Sequence, residues 1–161
     1  MKKISSKAIS FTALAVIFAL GSTQVPASGQ NGLGNRIEGT WRVQLTFRNC
    51  QTGAALATGP TMNTFLEGGS VIATPSASPA IIRTGHGAWK HIGGGSFVNT
   101  LLFFVYNPAT GAFAGTQRVT RNIDLAAGSD EFTSTDSFET TDPNGIVTAS
   151  GCVTGIGQRL E

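Results

Sequence analysis

Turn-forming clusters break this chain into short segments, and that spacing constrains the fold more than any other feature. From Ile37 onward Thr, Val, Phe and Ile dominate, and Gly-, Asn- or Pro-containing reversals recur at short intervals. They include Glu67-Gly68-Gly69-Ser70, Gly93-Gly94-Gly95, Asn107-Pro108-Ala109-Thr110-Gly111, Ala126-Ala127-Gly128-Ser129 and Asp142-Pro143-Asn144-Gly145. Gly and Asn tolerate the positive φ of tight reversals, and Pro presets the first turn position. Reading between these turns predicts eight strands, at about 39–50, 61–67, 70–74, 86–92, 96–106, 112–125, 130–141 and 146–159. No window after Ile37 holds a helical period.

Short loops between successive strands make a meander. A meander of this many strands can close on itself, which removes the unpaired edges that invite aggregation. Such a barrel is wide enough for a side-chain core or one small ligand. The first strand alternates as a half-buried antiparallel strand does, with Trp41, Val43, Leu45 and Phe47 on one face and Arg42, Gln44, Thr46 and Arg48 on the other. The Pro/Ser/Ala-rich stretch 75–84 is long enough to arch over one end. The expected fold is therefore all-β: a closed eight-stranded antiparallel up-and-down barrel.

The first 27 residues read differently. Lys2, Lys3 and Lys7 precede an uncharged apolar run from about Ala8 to Leu20, and Val25-Pro26-Ala27 follows. That order is a secretory signal peptide with cleavage near Ala27. The run is shorter than the ~20 residues that span a bilayer, so no stable membrane anchor is expected. The protein is placed outside the cell or in the periplasm, with 28–36 as a flexible leader and 37–161 as the barrel domain. Setting those three lysines aside leaves eight basic side chains against nine acidic ones, about −1 net. No basic stripe remains for nucleic acid.

In an exported chain, Cys50 and Cys152 are expected to form a disulfide. Pairing Cys50 with Cys152, or Trp41 with Arg159, sets nearly the same antiparallel register between first and last strands. The two registers differ by one dyad step. A single arrangement thus satisfies both the disulfide and an aromatic–guanidinium contact.

Gly39-Thr40-Trp41 at the opening of the first strand resembles the Gly-x-Trp signature of lipocalins and their calycin relatives. The resemblance extends through the strand layout over most of the chain after the leader. Avidins and a family of secreted bacterial protease inhibitors share similar openings, and the chain is similar to a broad group of exported bacterial lipocalin-like proteins. The resemblance implies that Trp41 closes the barrel base and packs on Arg159, so both are assigned to structure. The chain is shorter than true lipocalins and has no clear helix after the barrel.

Hairpin register predicts the interior. Pairing Tyr106 with Phe113, Leu125 with Asp130, and Thr141 with Ile146 switches the inward parity at each hairpin. With Phe113, Val119, Ile123 and Leu125 inward, strand 96–106 contributes Val98, Thr100, Leu102, Phe104 and Tyr106. Strand 130–141 contributes Phe132, Ser134, Asp136 and Phe138. The last strand contributes mostly small side chains, leaving room. The same parity places Gln117, Arg121 and Asp136 inside. A charge in an apolar barrel is costly unless paired, so Arg121 is expected to meet Asp136. The candidate cavity set is Arg121, Asp136, Gln117, Tyr106, Phe104, Leu102, Phe138, Trp89 and His91.

His86 and His91 are the only histidines. Five apart on a strand, they face opposite sides, which argues against a shared metal. No cofactor motif and no nucleophile elbow is present. Strand 96–106 is apolar on both faces, which offers a surface for a homodimer. The first functional expectation is an exported protein binding a small apolar or amphipathic ligand in its cavity. The alternatives are a protein-interaction module, such as a protease-inhibitor-like barrel, and a small cyclase or isomerase of the allene-oxide-cyclase type. Catalysis is the least favoured of the three.

Overall fold

The computed structural model describes residues 36–128 and 130–161; the segment read as a signal peptide lies outside them, as does nearly all of the leader. Eight strands follow in order: β1 (Gly39–Arg48), β2 (Ala55–Phe65), β3 (Ser70–Pro75), β4 (Gly85–Gly93), β5 (Ser96–Tyr106), β6 (Phe113–Leu125), β7 (Glu131–Thr141) and β8 (Val147–Arg159). Each pairs antiparallel with the next, and β8 returns to β1, closing the barrel. Among the described residues there is no helix. β2 begins at Ala55 rather than near 61. Its first residues are all exposed, so they lack alternation and are held by backbone pairing to β1, down to Arg48 opposite Ala55.

The first and last strands join in the expected register. Trp41 lies opposite Arg159 and Arg48 opposite Cys152. Cys50 reaches Cys152 diagonally, with Cα atoms 5.3 Å apart, and the disulfide closes a sequence separation of 102. At the other end of the same seam the Arg159 guanidinium stacks 4.2 Å from the Trp41 ring. It also donates from Nη1 to the Glu38 carbonyl and from Nη2 to the Arg36 carbonyl, both at 2.6 Å. The Trp41 indole N–H donates to the Ile37 carbonyl at 2.8 Å. A buried polar atom needs such a partner, and here the incoming chain supplies it.

This end is the closed base. Trp41, Phe65, Phe132 and Ile37 are fully buried there, with Trp41 and Phe132 rings 4.9 Å apart. The small side chains of β8 do not leave empty room. Phe132 sits opposite Gly157 and Phe138 opposite Gly151, and their rings lie over those glycines. A Cβ on Gly157 would meet Phe132 at 2.3 Å.

One strand departs from the expected parity. Tyr106 does pair with Phe113, but the next pair is Val105 with Gly115, so β6 carries a bulge. Gly115 has φ 137, and a Cβ there would meet the Thr141 carbonyl oxygen at 1.8 Å. Glycine is therefore required at this close approach. The extra residue inverts the whole of β5. Phe97, Asn99, Leu101 and Phe103 point inward and are buried. Leu102 and Phe104 point outward and are 42% and 53% exposed, and Phe113, before the bulge, is 47% exposed.

Candidate functional site

The interior above the base is a cavity of about 290 Å³. Its walls are largely apolar, drawn from Leu45, Leu101, Phe103, Val119, Phe138 and Val153. Pro75 at the end of β3, and Ala77, Ile81 and Ile82 in the segment after it, border the cavity. That segment is tied to β5: Ile82 bridges Val105, and the Tyr106 N–H donates to the Ile81 carbonyl at 2.7 Å.

The polar side of this cavity is built by register. Asn99, Arg121 and Asp136 occupy one continuous row across β5, β6 and β7. All three fall on inward positions of their strands, so alternation brings them together inside the barrel. Arg121 Nε donates to Asp136 Oδ2 at 2.7 Å, with the two side chains 3% and 1% exposed. From across the barrel, Asn63 on β2 completes the cluster. Its amide oxygen accepts from Arg121 Nη1, and its NH2 donates to the Met62 carbonyl at 3.2 Å. The Thr61 hydroxyl donates to the Thr74 carbonyl at 3.1 Å. Ser134 adds a side-chain hydrogen bond to the Asp136 carboxyl, and both polar atoms of the Asn99 amide are buried without a hydrogen-bond partner.

Burial dominates the electrostatics of Asp136. It pushes the carboxyl above its ordinary value, against the lowering influence of Arg121. The pair is electrically neutral as a unit, and its cost in a low-dielectric interior is met by the short charge-assisted hydrogen bond and the Asn63 amide. Gln117 lies four residues before Arg121 on the same face of β6, roughly 13 Å away at strand rise. It donates to Thr140 Oγ1 at 3.2 Å, and both border the cavity.

Of the residues expected in the cavity, Arg121, Asp136, Gln117 and Phe138 line it. Arg121 faces Asp136 directly, with Leu125 opposite Phe132 rather than opposite Asp130. Leu102, Phe104 and Tyr106 do not line it, because the Gly115 bulge turns β5 over. The Tyr106 ring packs with Phe113 at 6.2 Å and under the Arg83 guanidinium at 4.4 Å. Trp89 and His91 also lie elsewhere. β4 runs from the open end toward the base, so its last residues meet the base aromatics. The Trp89 ring is 5.8 Å from Phe97, and its indole N–H donates to the Leu66 carbonyl at 3.0 Å. His91 packs on Phe97 at 4.9 Å.

Sequence reasoning missed Asn63 and Asn99. Asn99 shares its face with Phe97, Leu101 and Phe103, so correct β5 parity exposes it as a polar residue on an apolar face. Asn63 alternates in phase with Phe65 inside the expected strand 61–67, a signal that was present in the sequence and not used. Among the described residues, no group of three or more His, Cys, Asp or Glu side chains is placed to hold a metal ion, and no helix is long and apolar enough to cross a membrane. The disulfide points to a non-reducing environment. No protein-family model, curated protein or solved structure matches the chain.

Proposed function

We propose that this protein is an exported carrier or scavenger of a small, mostly apolar molecule held inside the barrel. The observation that supports this reading is a cavity of about 290 Å³ with apolar walls and a single buried ion pair at its inner end. That volume is at the low end of ligand pockets, and a few polar groups on an apolar wall are the usual composition of such sites. A chain that needed only stability would do as well with apolar side chains at 121 and 136. Retention of the ion pair beside the cavity fits a polar anchor.

Native mass spectrometry of the protein purified from its own host tests the reading. A loss of one small-molecule mass on denaturation is the expected result. A clean unliganded mass, unchanged after soaking in lipid extract, overturns it. Arg121→Ala is expected to release the bound species.

A further inference from the structure

Arg121 engages Asp136 through Nε and Asn63 through Nη1. Its Nη2 has no protein acceptor among the described residues, and the side chain borders the cavity. The guanidinium thus keeps a hydrogen-bond donor for a ligand, while its charge is already matched within the wall. Asp136 Oδ1 is buried away from the cavity, so the carboxylate matches the guanidinium charge and presents nothing to a ligand.

We propose that the cavity selects an uncharged carbonyl head group, docked on Arg121, and discriminates against carboxylates. The inference rests on the carrier reading above and concerns the chemistry of the bound head. A ligand carboxylate would compete with Asp136 for the same guanidinium and leave one negative charge unmatched in an apolar enclosure. Burying an unpaired charge is far costlier than burying a hydrogen-bonded neutral group. A carbonyl oxygen needs only the remaining Arg121 donor. The remainder of the ligand lies along Val119, Leu101 and Phe103 toward Gln117 and Thr140, over roughly 13 Å of strand.

Calorimetric titration of the mature protein with octanamide, octanoate and butylbenzene tests this. Octanamide is expected to bind at least tenfold tighter than octanoate. Asp136→Asn leaves the guanidinium charge unmatched, so it is expected to shift the ratio at least tenfold toward octanoate. Should that variant not fold, the double variant Arg121→Met/Asp136→Leu carries the test. It is expected to lose at least tenfold in octanamide affinity and to bind butylbenzene as the wild type does. Octanoate binding as tightly as octanamide to the wild type overturns the head-group inference and leaves the carrier reading standing. Unchanged octanamide affinity in the double variant does the same. Failure of all three probes to bind overturns the carrier reading, and this inference with it.

Discussion

The two ends of the barrel use the same alternation of inward side chains to opposite effect. Aromatic rings lie over glycines at both ends, but at the base Phe132 over Gly157 is joined by Trp41, Phe65 and Ile37, which fill the rest. Toward the open end the inward residues are medium-sized aliphatics and a charged row, and the rings of Phe103 and Phe138 stand at the walls of a cavity. The seam between β1 and β8 shows the same division. Arg159 stacking and its carbonyl hydrogen bonds hold it at the base, and a covalent bond holds it at the open end. Where side chains pack to solid density, packing holds the closure. Where the interior is left open, the disulfide supplies what the missing core does not.

The largest effect is expected at that open end. Replacing both cysteines by serine should cost about 4–5 kcal/mol, from the entropy the unfolded chain regains on losing so long a loop. Urea unfolding with and without reductant measures it. A loss under about 1 kcal/mol would show that packing alone closes both ends. At the base, Trp41→Ala should cost about 3–5 kcal/mol, read in the same experiment, and should leave octanamide binding intact where the protein remains folded.

The polar row gives the next effect. Arg121→Ala should cost about 3 kcal/mol by stranding Asp136, whereas Arg121→Met/Asp136→Leu should be close to neutral. A double variant as unstable as the single one would mean that the open half needs its charges as the base needs its aromatics. The pair also gives a pH signature. Burial raises the folded Asp136 carboxyl above its ordinary 3.8, so the folded state holds the proton more tightly than the unfolded chain. As pH rises from about 3.8 through that raised value, stability should fall relative to Asp136→Asn. A difference that grows the other way would show that Arg121 outweighs burial.

The smallest effect tests the register itself. Phe104→Ser should change stability by no more than about 0.5 kcal/mol. Phe103→Ala should cost about 3 kcal/mol. The reverse ranking would return β5 to the parity expected from its turn.

Much of the architecture was legible without coordinates. Alternation in 41–47, the turn clusters and the two long-range pairs predicted a closed meander with β1 beside β8, because strand period and turn chemistry are local properties. Arg121 and Asp136 were also legible as an inward pair, since the hairpin between β6 and β7 has no bulge and preserves parity. Asn99 was not. Its placement depends on which way β5 faces, which the residues nearby do not encode, whereas Asn63 needed only its phase with Phe65 to be read across the barrel to Arg121.

The sequence by itself determined the strand order, the closure and the disulfide, each following from period, spacing and residue type. Only the tertiary structure decided what the barrel encloses. Gly115 shows why. The bulge brings residue 115 against the Thr141 carbonyl on a neighbouring strand, where only glycine fits, a contact between residues distant in sequence. One extra residue at that point reversed every side chain of β5, moving Leu102 and Phe104 out and bringing Asn99 beside Arg121. A two-residue period carries no memory of phase across a bulge, so local pattern can say that a face is apolar but not which way it looks.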